Sequence, residues 1–171
     1  FDNWAFLYSQ QIALQKEVPM YVVFCLNPQF LGATLRQYDF MLRGLKEVEE
    51  ELKKLNIPFF ILLDKVEDGI SKFVGNIEAS VLVTDFSPLK IKSFWLSEII
   101  KSVDCDVYDV DAHNIVPCWE ASKKLEFGAY TLRPKINKLL PEYLTDLLSD
   151  YQKIEYNNAI DDKTLSEYFL P

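Results

Sequence analysis

The sequence predicts an α/β fold, a parallel sheet covered by helices on both faces. Three observations lead there. Four short strand-like runs lie at residues 20–26 (MYVVFCL), 58–63 (PFFILL), 79–84 (ASVLVT) and 107–110 (VYDV). The first three are near-continuous apolar runs, the pattern of strands buried on both sides. Stretches of helical spacing precede and separate them, and that alternation specifies parallel strands joined by helical crossovers.

The totals suit one domain with a tail. The chain has 171 residues, 49% of them apolar and 14% aromatic, enough for a sizeable core. Its net charge of −8 gives no basic field to draw in nucleic acid. No direct nucleic-acid binding is expected from this acidic chain alone. No apolar run approaches a membrane span and no signal pattern opens the chain, so no membrane partner is expected. Cys25, Cys105 and Cys118 are widely spaced and form no CxxC pair. They read as reduced thiols in a cytoplasmic or nuclear setting, with no metal site.

The first helix is expected from residue 2 or 3 to Lys16. Asp2 or Asn3 caps it, and Trp4, Leu7, Tyr8, Ile12 and Leu14 make a rough apolar stripe. Val18-Pro19 ends that pattern, and the first strand runs to Asn27-Pro28, a turn signal. Residues 29–37 read as a loop. The clearest helix spans residues 38–55, with Phe40, Met41, Leu45, Val48, Leu52 and Leu55 on one side. Its acidic and basic residues form a solvated face, and Asn56 is a plausible stop. After the second strand, residues 67–74 form a short helix on Ile70, Phe73 and Val74. After the third, residues 93–101 form a helix bearing Phe94, Trp95, Ile99 and Ile100. Residues 131–148 read as two short helices interrupted by Pro134 and Pro141. The domain is placed at 1–148, with 149–171 as a linker or docking tail.

Candidate chemistry collects at strand exits. Cys25-Leu26-Asn27-Pro28 with Phe30, Asp85-Phe86-Ser87-Pro88, and Asp111-Ala112-His113-Asn114 each set polar groups at the end of a strand. Three of these sites carry aromatic or apolar neighbours. In a parallel sheet the exits share one rim, where ligands gather, and such a pocket suits a planar heteroaromatic ligand. The plain alternative is that these are ordinary turn residues, with Asp111 and His113 satisfying each other and a nearby loop. Arg133, Lys135 and Lys138 could meet phosphate or pair with acids nearby. Core packing is the default for Trp4, Trp95 and Trp119. No catalytic triad, HExxH motif or catalytic carboxylate pair is present, so no catalytic residue is assigned.

DNWAFLYSQQIAL, VPMYVVFCLNPQFLGATLRQYDFMLRGLKEVEEEL, VTDFSPL and VDAHNIVPCWEASKKLEFGAYTLRPKINKLLPEYL resemble the amino-terminal domain of class II cyclobutane pyrimidine dimer DNA photolyases. The resemblance runs from about residue 2 to 145. DAHNIVPCW and TLRPKI resemble class II members in particular. VVFCLNP and DFSPL resemble the wider photolyase–cryptochrome family. The resemblance implies a three-layer Rossmann-like antenna domain that holds a deazaflavin- or folate-type chromophore. It implies that FAD and damaged DNA belong to a helical carboxy-terminal domain outside this chain. There, light-excited reduced flavin passes an electron that splits the dimer, so this chain alone is not expected to be catalytic. By the family pattern, Cys25, Leu26, Asn27, Phe30 and Leu31 border the antenna chromophore, with Asp85, Phe86 and Ser87 beside it. Asp111 and His113 complete the candidate set from the strand exits. Family members carry a strand ahead of the first helix, and this chain opens at Phe1 without one. Two rivals remain: a stand-alone α/β module binding a nucleotide-like ligand or a protein partner without catalysis, and an enzyme acting through Cys25 or Cys118.

Overall fold

A computed structural model describes residues 3–28 and 30–145. Helix α1 (Trp4–Lys16) leads to strand β1 (Val22–Cys25), and α2 (Leu35–Lys54) to β2 (Phe59–Leu62). Next come α3 (Val66–Asn76), β3 (Val81–Asp85), α4 (Lys90–Ser102) and β4 (Asp106–Val110). The short helix α5 (Cys118–Ala121) and the longer α6 (Ala129–Tyr143) complete the described chain. The proposed 149–171 tail lies outside the described residues. No helix among them is long and apolar enough to cross a membrane.

All strand pairing among the described residues is parallel. Val22 is level with Phe59 and Cys25 with Leu62, while Val81 is level with Asp106 and Asp85 with Val110. The alternation of side chains divides the core between two faces. On one face Val22 and Phe59 pack with Ala13, Met20, Leu52 and Ile57, at the ends of α1 and α2. On the other, Phe60 and Leu62 pack with Phe73 and Ile70 of α3, joined by Tyr21, Val23 and Cys25. Gly69 permits that close approach: a Cβ there would lie 3.1 Å from Asp64 Cβ and 3.4 Å from Cys25 Sγ. Helices therefore cover both faces of the strands.

The four strands do not share one continuous ladder. They form two pairs, β1 with β2 and β3 with β4. A cavity of about 1320 Å³ lies between the pairs, lined by all of Val22–Cys25 and Val81–Asp85.

Several boundaries depart from the sequence reading. Asn3 is the cap of α1: its Oδ1 accepts the Phe6 N–H at 2.8 Å. The buried residues of α1 are Ala5, Leu7, Gln10 and Ala13. The expected stripe is thus shifted, and Leu14 is exposed. Helix α1 packs on β3 and β4, and its Ala13 joins the core with Met20, Leu52 and Ile57. Helix α2 begins at Leu35 rather than Tyr38. Gln37 Oε1 reaches back to accept the Thr34 N–H at 2.6 Å, a helix-start device spelled T-x-x-Q. Phe40 and Val48 of the expected apolar face are exposed. Asn56 does follow the helix in the left-handed region, at φ 57°.

The largest revision is α6. Pro134 and Pro141 lie inside one helix, not between two. Each removes an N–H that would have bonded the carbonyl four residues back, on Tyr130 and Asn137. Both prolines and both of those residues lie on the exposed side, where water can satisfy the freed carbonyls.

Candidate functional site

The β1 exit is held from two directions. The Cys25 thiol donates to Asp64 O at 3.4 Å, just beyond the end of β2. Burial pushes that thiol up, and the Asp64 and Glu67 charges add to the effect. Cys25 therefore stays protonated at neutral pH, which disfavours it as a nucleophile. Leu26 continues the ladder by donating its N–H to Leu62 O at 2.8 Å. Beyond it, the Tyr38 hydroxyl donates to Asn27 O at 2.6 Å and accepts the Phe30 N–H at 3.1 Å. Phe30 opens a 3-10 turn, Phe30–Gly32, in which Leu31 takes a left-handed φ of 46° and stands exposed.

The β3 exit carries the start of α1. Asn3 Nδ2 donates to both Asp85 oxygens, at 3.2 and 3.3 Å. Lys92, one turn into α4, donates to Thr84 Oγ1 at 2.8 Å. Ser87 Oγ accepts the Leu89 N–H at 3.4 Å, a long contact. Phe86 meets Trp119 edge-to-face, with ring centres 5.2 Å apart.

Asp111, beyond β4, is buried and heavily used. Its Oδ1 accepts the N–H groups of His113 and Asn114 and the Asn114 side-chain amide, each at 3.1 Å. Its Oδ2 accepts that amide at 2.9 Å and the Cys118 N–H at 3.2 Å. Burial pushes this carboxyl up, but the hydrogen bonds outweigh it and the net shift is downward. The carboxylate therefore organises the 111–118 loop. The His113 contact runs through its backbone N–H, and the residue itself is exposed. Asp109, on β4, is raised by partial desolvation; Lys92 opposes that, while Asp85 and Asp111 reinforce it.

Two ring contacts link the exits. Phe30, past β1, lies 6.1 Å from Trp95 of α4, which follows β3. Phe86, past β3, touches Trp119, past β4. With the Cys25–Asp64 contact, these place all four exits on one rim. Trp95 and Trp119 belong to that rim rather than to a sealed core, and Trp119 is 43% exposed. Lys92 and Trp95 were missing from the sequence-derived set because they come from the helix beyond the exit. Their spacing after DFSP, one turn into a helix, was the available signal.

The late basic residues divide. Lys135 is committed to Glu126 at 2.5 Å and to Ser122 Oγ at 2.9 Å, whereas Arg133 and Lys138 are exposed. Glu126 is held down to about 2 by Lys135, Thr131 and Ser122. Because its folded value lies below the ordinary 4.5, its stabilising effect is complete above that value and fades as pH falls toward 2. Glu126→Gln is expected to speed amide exchange across residues 122–135 at pH 7, with the difference from the parent closing near pH 2. Equal exchange at pH 7 would show that the network does not hold this loop.

These features define a class: a parallel α/β domain, helix-covered on both faces, whose strand ends meet at an aromatic-walled rim where such sheets bind ligands. Comparison with known proteins narrows it. The DNA photolyase family model matches residues 1–153. Deoxyribodipyrimidine photo-lyase of Potorous tridactylus is 52% identical over 147 residues, covering 85% of this chain and 28% of the relative. The Arabidopsis thaliana protein of the same name is 46% identical over 147 residues, covering 85% of this chain and 30% of the relative. The Methanothermobacter thermautotrophicus protein is 30% identical over 145 residues, covering 85% and 32%. The chain belongs to the DNA photolyase family. It spans less than a third of the length of these relatives.

Proposed function

We propose that this chain is the amino-terminal, light-harvesting domain of a class II cyclobutane pyrimidine dimer photolyase. The rim holds a deazaflavin- or folate-type antenna chromophore. The observation that carries this reading is the meeting of the strand exits between the Phe30–Trp95 and Phe86–Trp119 ring pairs.

The donor set fits a flat heteroaromatic group. Aromatic rings offer faces for stacking, and a few polar groups at the edges offer orientation. Cys25, Leu26, Asn27, Phe30 and Leu31 border one side. Asp85, Phe86 and Ser87 border the other, with Lys92 close behind them. Asp111 acts by shaping the loop that carries His113 and Trp119. The chromophore, when bound, supplies light absorption and energy transfer. The chain's own residues bind it, orient it and shield it from water.

Repair of damaged DNA belongs to the longer parent, whose remaining chain holds FAD and receives the dimer. The shared name of the matched relatives, deoxyribodipyrimidine photo-lyase, supports the repair part of that assignment, and the FAD part is what the family resemblance implies. Titrating the purified protein with a deazaflavin, followed by absorbance and fluorescence quenching, is the direct test. Saturable binding is expected, weakened about three- to tenfold by Phe30→Ala through loss of one aromatic contact. A reduced folate titrated with the same readout is the second arm, and binding that is absent in both arms, or unchanged in the variant, would overturn the rim assignment.

A further inference from the structure

The residue that caps α1 does more than a cap requires. An N-cap needs only a short side-chain acceptor for a first-turn N–H, and Ser, Asp and Asn serve about equally well. Asn3 meets that need with Oδ1, which accepts the Phe6 N–H at 2.8 Å. Unlike aspartate, asparagine also carries an amide donor. Asn3 directs it across the fold, to a residue 82 positions away in the chain. Its Nδ2 donates to both oxygens of Asp85, at 3.2 and 3.3 Å. Among the described residues, Asn3 is the one side chain hydrogen-bonded to this carboxylate.

The backbone of Asp85 is fixed from the opposite side. Asp85 is level with Val110 of β4, and the next residue, Phe86, donates its N–H to Val110 O at 2.8 Å. The ladder does not fix the carboxylate itself, because the last torsion of an aspartate side chain is broad. A like charge also stands nearby. Asp109 is level with Thr84 on β4. Its carboxyl is raised by desolvation and, against the pull of Lys92, by the Asp85 charge. Two carboxylates repel, so an untethered Asp85 side chain is driven from Asp109. The Asn3 amide opposes that movement.

The held carboxylate keeps capacity for another partner. Ionised, it has about four acceptor sites and no donor, so it reads N–H and O–H groups. Asn3 and Asp85 line the same hollow as Asn27, Phe30 and Trp95. Deazaflavin and folate ring systems share one suitable donor, the ring N–H of their pyrimidine portion. An acceptor fixed before the ligand arrives avoids an ordering cost on binding.

We infer that Asn3 is a positioning residue, which holds the Asp85 carboxylate at the rim as the acceptor for that ring N–H. The inference rests on the rim reading of the proposed function. It couples the start of α1 to ligand selection through one amide.

The test separates the cap from the tether. Asn3→Ser and Asn3→Asp both keep a capping oxygen, the first without the amide and the second with a repelling charge in its place. Amide exchange at Phe6 is expected to stay within about threefold of the parent in both. The probes are a deazaflavin with its ring N–H intact and the same molecule methylated at that nitrogen, or the corresponding reduced folate pair if that ring system is the one bound. Affinity for the N–H probe is expected to fall about three- to tenfold in Asn3→Ser and about tenfold or more in Asn3→Asp. The methylated probe has no donor for Asp85, so both variants should bind it within about twofold of the parent. Equal loss for the two probes, as a general loosening of α1 would give, overturns the inference, as does unchanged affinity for the N–H probe. Those results leave the rim reading intact, whereas a parent protein that binds neither ring system overturns both. Should Asn3→Asp fail to fold, Asn3→Ser decides alone by the same comparison.

Discussion

Replacing Phe60 with alanine is expected to lower the unfolding free energy by about 3–5 kcal/mol. Phe60 and Phe73 are the largest fully buried side chains among the described residues, each 2% exposed. Their ring centres lie 5.3 Å apart, and Tyr21 packs on Phe60 from 6.1 Å. Phe60 does not line the large cavity, so truncation opens a new void between β2 and α3 instead of enlarging an existing space. Domains of this size have about 5–15 kcal/mol in total, so this one substitution removes a large share. Urea unfolding measures it, as a midpoint shifted to lower denaturant at constant slope. Phe60→Leu keeps most of the buried area and should recover most of the loss. A loss below about 1 kcal/mol for the alanine variant would mean that the β2–α3 layer is not the cooperative core.

Asp111→Ala should be nearly as damaging, through polarity rather than volume. The carboxylate accepts from three backbone N–H groups and one side-chain amide. Removing it strands several donors, at a combined cost of about 2–4 kcal/mol. Asp111→Asn is the informative companion. Its remaining oxygen can serve the partners of Oδ1, but its amide would confront the Cys118 N–H donor to donor. An intermediate loss is expected. The pH dependence has a definite sign. The folded carboxyl lies below its ordinary 3.8, so its contribution is whole above that value and disappears as pH falls through the lower folded one. The alanine variant should therefore converge on the parent in strong acid. A parent–variant gap unchanged from neutral pH down through that range would refute the role given to this carboxylate.

How much of this was legible depends on the range of the interaction concerned. The strands at Val22, Phe59 and Val81 were readable because a buried strand needs a local apolar run, and that run is written in consecutive residues. The cap at Asn3 and the stop at Asn56 were readable for the same reason. Thr34 and Gln37 carried a legible start signal that the expectation of a loop obscured. Phe40 followed the helical period and still faces outward, because periodicity marks a face without saying what covers it. Pro134 and Pro141 misled because their cost depends on where the freed carbonyls point, which is set by α6 packing on α5. The same limit applied to the rim. Its strand-end residues were visible in order, but Trp95 and Lys92 reach it from a helix. Asp111 was visible as a polar residue at a strand exit, while its five hydrogen bonds could be seen only in three dimensions. Nor could any local residue disclose that β1 and β3 are not paired with each other.

The Tyr38 hydroxyl gives the Phe30 turn a property that neither segment has alone. One oxygen donates to Asn27 and accepts from Phe30, so both ends of a bend in the chain are fastened at a single point. Removing that one oxygen, as Tyr38→Phe does, therefore costs the bend both of these fastenings in a single atom, beside the Phe30 wall of the rim.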